Sequence, residues 1–173
     1  MRNVKTVVGV VAVGALIASC SSAAPTLVNH PAGSSSVAGP GDTLVLVTGA
    51  GHQFSIELSQ VVDPATATGK TTPKHGRRFV ATLFKLTNNS GDGISGDANA
   101  DADLVGSDGT TYSPAHVTLS ACEGTSGSAY HLASGKSGTS CVAFEVPTTV
   151  TVKQVQFFPA AGGASKYGEW LAS

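Results

Sequence analysis

Apolar and polar residues alternate with a period of two along much of this chain. Phe54, Ile56 and Leu58 are each separated by a polar residue. Because successive side chains of a strand point to opposite faces, this alternation predicts a strand with one buried face. The run TLVLVTG precedes it, and the turn residues 49–51 lie between the two runs. The pattern therefore predicts a β-hairpin.

Residues 79–86 are apolar on both faces, which predicts a central strand. The two faces are Phe79, Ala81 and Leu83 on one side and Val80, Phe84 and Leu86 on the other. In a two-layer sandwich only one face of a sheet meets the opposing sheet, so the other face needs separate cover. We expect the C-terminal segment to supply part of that cover, through Tyr167, Trp170 and Leu171.

Further short strands are predicted in the second half of the chain, at ADLVGSDGTTY, AHVTL, SCVAFEVP and VTVKQVQFF. Asp108 and Gly109 mark a turn inside the first of these runs. In the last run Val152 and Val155 have opposite parity, which predicts a bulge near Lys153 and Gln154. No segment has the apolar stripe of a helix. Seven to nine short strands in about 130 residues predict an all-β sandwich.

The N-terminal residues 1–19 have the pattern of an export signal. Two basic residues precede an uncharged run of apolar residues that is shorter than the roughly 20 residues of a transmembrane helix. Ile17, Ala18, Ser19 and Cys20 resemble a bacterial lipobox, in which the cysteine is lipidated and becomes the first mature residue. The alternative is an ordinary secretory signal that is cleaved near Ala23 or Ala24.

Residues 20–41 are rich in Ser, Ala, Gly and Pro, which predicts a flexible tether between the lipidated Cys20 and a domain at residues 42–173. A lipid anchor places this domain at the cell membrane, on its extracytoplasmic face. Cys122 and Cys141 form an even pair in an exported chain and are expected to form a disulfide. Two free thiols are the alternative. Cys141 has the parity opposite to Val142, so the bond is expected on the outer face of its sheet.

Charge excludes one class of partner. The formal net charge is −1, and charged residues make up 12% of the chain. Nucleic-acid binding requires a basic face with interleaved aromatic residues, and this sequence has neither. We therefore expect no nucleic-acid partner.

Several motifs together carry a family resemblance. The lipobox and tether are followed in order by FVATLFKLTNNSG, LVGSDGTTY and LASGKSGTSCVAFEVP. This order resembles the immunoglobulin-like domains of unknown function in lipoproteins of Gram-positive bacteria and actinobacteria, a group similar in fold to a secreted immunoprotective antigen of mycobacteria. The resemblance implies an antiparallel immunoglobulin-like β-sandwich in an extracytoplasmic place. It implies no catalytic residues.

One loop is a weak candidate for a calcium site. Its alternating oxygen ligands are Asp97, Asn99, Asp101 and Asp103. An EF-hand loop has Gly at its sixth position and Glu at its twelfth, and this loop has Ala102 and Asp108 there. The alternative is a solvated acidic loop.

A basic cluster precedes the central strand and consists of Lys70, Lys74, His75, Arg77 and Arg78. It could contact anionic lipid headgroups or cell-wall polymers. The alternative is that it only protects a hydrophobic strand from aggregation. The histidines lack metal-ligand spacing, and no methionine is available for a blue-copper site. We therefore expect no cofactor and no metal.

The sequence selects no catalytic constellation. It contains no Gly-x-Ser-x-Gly elbow around a nucleophilic serine, and nothing selects a pair of carboxylates for glycoside hydrolysis. The sequence thus predicts a non-enzymatic, membrane-anchored envelope lipoprotein that binds another envelope protein or a cell-wall polymer. The alternatives are an envelope hydrolase and a structural or antigenic surface protein without a specific ligand.

Overall fold

A computed structural model gives the fold of residues 37–47, 51–159 and 167–173, together with the backbone of residues 26–28. The predicted signal, the lipobox and Cys20 lie outside these described residues. Among the described residues, no helix has the length and apolar character that crossing a membrane requires.

Strands are the dominant regular structure in the described part of the chain. Its strands are β1 (Thr26–Val28), β2 (Thr43–Val47), β3 (Gln53–Ala65), β4 (Arg77–Asn88), β5 (Ile94–Asp97), β6 (Ala102–Gly106), β7 (Thr111–Tyr112), β8 (Ala129–Leu132), β9 (Ser137–Pro147), β10 (Val152–Phe157) and β11 (Gly168–Leu171). A one-turn helix α1 (Ala98–Asp101) and a 3-10 turn (Ser120–Cys122) complete the elements.

These strands form three antiparallel sheets. The first sheet has the order β1-β2-β3-β4-β9, the second has the order β11-β10-β6-β7, and β5 pairs with β8. The predicted hairpin is present as β2 paired with β3. The main core lies between the first two sheets and buries the alternating residues Phe54, Ile56 and Leu58 as predicted. The predicted all-β sandwich is therefore confirmed.

The predicted bulge in the last long run is also present. The register between β10 and β6 shifts between Val152 and Gln154. Because of this shift, Val152 and Val155 both lie in the main core despite their opposite parity. The run Ala115–Leu119, predicted as a strand, instead follows an isolated bridge between Pro114 and Phe144, and Leu119 forms a second isolated bridge to Ala67.

The outer face of the first sheet carries a second, smaller hydrophobic cluster. Phe79, Ala81, Cys141 and Ala143 are buried there beneath Leu119. The predicted disulfide joins Cys122 to Cys141 on this face, and its Cα atoms are 5.4 Å apart. Cys141 therefore points away from the main core, as its parity predicted.

The expectation that the C-terminal segment covers this outer face is wrong. β11 pairs with β10 in the second sheet, and Trp170 is buried in the main core. The cover comes instead from Leu119 and its neighbours, which the disulfide holds against the sheet. A large aromatic side chain gains more by filling the space between two sheets than by covering one of them.

The expected tether contains residues that the structure places on the domain. β1 extends the first sheet by pairing with β2. Ala38 is buried in the main core and bridges to Trp170. These residues contribute backbone hydrogen bonds and one small buried side chain, and neither requires an apolar sequence pattern. The domain start at residue 42 stays a prediction, and these residues contact the sandwich from within the predicted tether.

Candidate binding groove

A groove of about 660 Å³ opens at one end of the outer face of the first sheet. Its walls come from the loop before β4, from β7 with the residues that follow it, and from the end of β9. The polar side chains lining it include Lys74, Arg77, Tyr112, His116 and Glu145. Arg77 and Glu145 share the outward parity of Phe79 and Ala143, so both belong to the outer face.

Glu145 ties the basic loop to the sheet. Its carboxylate accepts a hydrogen bond of 2.6 Å from the backbone N–H of Lys74. The Lys74 ammonium lies 3.7 Å from the same carboxylate, and the Lys74 side chain is 80% exposed. This geometry leaves the ammonium free to reorient toward a ligand, because an exposed pair at that distance is worth little.

Arg77 differs from every other cation of the cluster in its environment. Its Nη2 donates to the main-chain carbonyl of Glu145 at 2.8 Å. Its Nε is buried and has no hydrogen-bond partner. In the part of the chain that the structure describes, Arg77 forms no ion pair. A half-buried guanidinium is therefore held at the groove without an ion-pair partner among the described residues.

Arg78 points the other way and is fully engaged. Its Nε and Nη2 donate to the two carboxylate oxygens of Asp63 at 2.5 and 2.7 Å. It also donates to the carbonyls of Pro147 and Val150. The hydrogen bond that Arg78 donates to Asp63 raises the pKa of Arg78 above its ordinary value. Arg78 thus stabilises the fold and does not line the groove.

Tyr112 forms a fixed wall of the groove. Its hydroxyl donates to Asp108 at 2.8 Å, and the Thr110 N–H donates to the same carboxylate at 3.1 Å. These hydrogen bonds lower the pKa of Asp108. Burial, followed by the bond to Asp108, raises the pKa of Tyr112. A Cβ at Gly106 would lie 2.9 Å from the Tyr112 ring, so this wall requires glycine there.

A second cavity of about 250 Å³ adjoins the groove and lies beside the disulfide. Cys122 and Cys141 both line it, and it shares Ala115 and His116 with the groove. The common wall is held by the Ala115 N–H, which donates to the Ala143 carbonyl at 2.7 Å. The disulfide therefore supports the segment that forms one side of the groove.

The structure distributes the calcium candidates among separate roles. Asp97 caps α1 by accepting from the Asn99 N–H at 2.9 Å. Asp101 is buried and accepts from the Tyr130 hydroxyl at 2.6 Å. Asp103 lies on β6 opposite Gln156, and partial burial raises its pKa. Within the described ranges no three side chains of His, Cys, Asp or Glu converge as metal ligands. The calcium site at this loop stays a prediction.

The structure brings together only part of the basic cluster found in the sequence. Lys74 and Arg77 meet at the groove, while Lys70 and His75 are exposed outside its lining. Sequence reasoning missed Tyr112, His116 and Glu145. For Glu145 a signal existed, because it breaks an apolar run at an outward-facing position of β9.

No family model matches this sequence, and no curated protein matches it. Two solved structures share the fold: the secreted protein MPT63 of Mycobacterium tuberculosis and the protein ycdA of Bacillus subtilis, provisionally named a lipoprotein. The first is 14% identical with a TM-score of 0.50, over 77% of this chain and 94% of MPT63. The second is 14% identical with a TM-score of 0.50, over 68% of this chain and 35% of ycdA. This chain thus spans about a third of ycdA. The predicted likeness in fold to a mycobacterial secreted protein is confirmed.

Proposed function

We propose that this chain is a non-enzymatic, extracytoplasmic interaction domain that a lipid on Cys20 anchors to the membrane. The observation that carries the proposal is the Cys122–Cys141 disulfide, which fixes the cover over the outer face of the first sheet. Disulfides persist in oxidising compartments and are rare in the cytosol. The lipobox at Ile17–Cys20 supports the same location independently.

The groove supports a binding role over an enzymatic one. Glu145 is the single carboxylate among its described lining residues, and the Lys74 backbone N–H already donates to it. Hydrolysis by carboxylates requires a second acidic group in the same site. The Tyr112 hydroxyl is likewise occupied by Asp108. A groove with fixed walls and one unpaired cation is suited to holding a ligand.

The anchor is tested by Cys20→Ser in a bacterial host that processes lipoproteins. The wild-type chain should fractionate with membranes and incorporate a palmitate analogue. The variant should be released or should accumulate as an uncleaved precursor. Ser22→Ala is the matched control, because it lies beyond the lipobox and should behave like wild type. A Cys20→Ser chain that is still processed and acylated would show that the anchor is assigned wrongly.

The compartment is tested by the redox state of the cysteines in intact cells. Rapid alkylation before reduction should leave Cys122 and Cys141 unmodified, and both should react after reduction. If both react without reduction, the protein is kept in a reducing compartment and the extracytoplasmic proposal fails.

A further inference from the structure

We infer that the groove binds a phosphate group carried on a hydroxyl-rich molecule such as a sugar or glycerol phosphate, with Arg77 as the main contact. The inference rests on the proposed function only in treating the groove as the ligand site. The first argument is the environment of Arg77. An unneutralised charge that is partly removed from water is costly, and neighbouring Arg78 shows how the same fold neutralises a guanidinium, with Asp63.

The available donors fit an anion. With Nη2 bonded to the Glu145 carbonyl and Nε buried, the Arg77 guanidinium offers Nη1 to a ligand. Lys74 adds a mobile ammonium whose pairing with Glu145 is loose. Guanidinium and ammonium groups are the side chains that proteins use most for phosphate.

The lining also favours phosphate on a polyol over a simple carboxylate. A phosphate has three or more acceptor oxygens, which can satisfy two cations and a hydroxyl together, whereas a carboxylate has two oxygens. The exposed residues Thr111 and Ser113 line the same groove and each carries a hydroxyl. These groups can donate to and accept from the hydroxyls of a sugar or glycerol.

The test is a titration of the full-length chain, purified in a neutral detergent, with inorganic phosphate and with glycerol 3-phosphate. Amide NMR signals of Lys74, Arg77 and His116 should shift saturably. Glycerol 3-phosphate should bind more tightly than phosphate, and acetate more weakly than either. Chloride at matched ionic strength should produce no saturable shift. Equal binding of acetate, or shifts that chloride reproduces, would overturn the inference.

Variants locate the site. Arg77→Gln should weaken glycerol 3-phosphate binding by about tenfold or more, since charge-assisted hydrogen bonds are lost. Lys74→Ala should weaken binding by about threefold to tenfold, and its 80% exposed side chain makes a folding defect unexpected. Lys136→Ala removes the same charge from an exposed turn outside the groove lining and should bind like wild type. Wild-type affinity in both groove variants would refute the site.

A vesicle-binding experiment distinguishes a soluble phosphate ligand from the phosphate of lipid headgroups. Vesicles of phosphatidylcholine, with and without phosphatidylglycerol, are offered to the same purified chain, and only the excess of binding to the anionic vesicles is counted, because the lipid on Cys20 inserts into both. Binding to the anionic vesicles without binding to soluble glycerol 3-phosphate would overturn the inference in favour of a membrane surface. All these measurements use purified protein. A negative binding result would overturn the phosphate inference without affecting the proposed anchor or compartment. A negative result for Cys20 or for the disulfide would likewise leave the phosphate inference unaffected.

Discussion

The indole of Trp170 packs edge-on against the ring of Phe84 in the main core, with ring centroids 6.2 Å apart. Trp170 is fully buried, and its Nε1 donates to the Asp42 carbonyl at 3.0 Å. This one side chain therefore links the last strand to the central strand and to the residue before β2. The C-terminal segment is part of the core of the sandwich.

Trp170→Ala should destabilise the domain by about 3–5 kcal/mol, because it removes a large buried side chain and leaves a cavity between the sheets. The free energy of unfolding is measured by urea denaturation with circular dichroism, since the change removes the chain's single tryptophan. Truncation after Phe158 should destabilise at least as much, because it also removes β11.

Leu171→Ala is the matched control for this prediction. Leu171 lies next to Trp170 on the same strand and is 36% exposed, so its truncation should cost less than about 1 kcal/mol. A Trp170→Ala variant that unfolds at the same urea concentration as Leu171→Ala would contradict the place of Trp170 in the core.

Strand periodicity explains why much of the fold could be predicted. The alternation at Phe54, Ile56 and Leu58, and the two apolar faces of β4, follow from burial on one or both sides of a sheet. The bulge at Lys153–Gln154 could be predicted because two apolar pairs of opposite parity must reach the same core. In each case a run of several side chains carried the signal.

Short elements held by backbone contacts could not be predicted in this way. β1 has three residues within a stretch rich in Ser, Gly and Pro, and its pairing with β2 uses main-chain groups. Trp170 stands in a four-residue strand, too short for its alternation to reveal a face. The groove is also a product of the fold, because Tyr112 and Glu145 meet Lys74 only through tertiary packing.

The two adjacent arginines show what parity can and cannot reveal. Arg77 and Arg78 begin β4 and point to opposite faces, as a period of two requires. The sequence could therefore separate them. It could not show that the Arg78 side chain bonds to Asp63, while among the described residues the Arg77 side chain bonds to the carbonyl of Glu145.

Tyr130→Phe should reduce the decrease in the free energy of unfolding that occurs as pH rises above about 10. Burial, followed by hydrogen bonding to Asp101, raises the pKa of Tyr130 far above the ordinary tyrosine value of about 10. Above about pH 10 the unfolded chain loses the tyrosine proton and the folded chain keeps it, so the folded state loses relative stability as pH rises. Urea midpoints from about pH 8 to about pH 11 measure the slope.

The matched control is Tyr167→Phe, because Tyr167 is exposed at 41%. The wild-type chain and this control should show the same decline at high pH, and Tyr130→Phe should show a smaller one. An unchanged slope in Tyr130→Phe would mean that Tyr130 ionises in the folded protein as it does in the unfolded chain.

Gly96→Ala should destabilise the domain by about 1–3 kcal/mol through steric overlap. A Cβ at residue 96 would lie 2.3 Å from the Tyr130 hydroxyl oxygen and 2.5 Å from the ring carbon that bears it. The ring must shift, and the hydrogen bond to the buried Asp101 is then lost. Thermal unfolding measures the effect. Gly91→Ala is the control, because a Cβ there meets nothing within 4 Å, and a midpoint as low as that of Gly96→Ala would contradict the steric argument.

Removing the disulfide should loosen one face of the protein before the core. Replacing Cys122 and Cys141 together by Ser should destabilise the domain by about 2–4 kcal/mol, because the bond closes a separation of 19 residues. The cover over the small cluster then depends on Leu119 and on the hydrogen bond from the Ser120 N–H to the Thr66 carbonyl. Hydrogen exchange at the amides of residues 120 and 122 measures this cover directly.

The same exchange experiment distinguishes local loosening of the cover from destabilisation of the whole domain. Amide exchange at Ser120 and at residue 122, which is Ser in the variant, should rise more than exchange at Val155, which lies in the main core and is protected by pairing within the second sheet. The groove shares Ala115 and His116 with the cavity beside the disulfide, so their amides should also exchange faster. If exchange rises equally at Val155 and Ser120, the bond stabilises the whole domain and does not specifically hold the cover. That cover supports a wall of the groove. The expected local loosening should therefore also weaken the binding of a ligand in the groove, although neither substituted cysteine lines the groove.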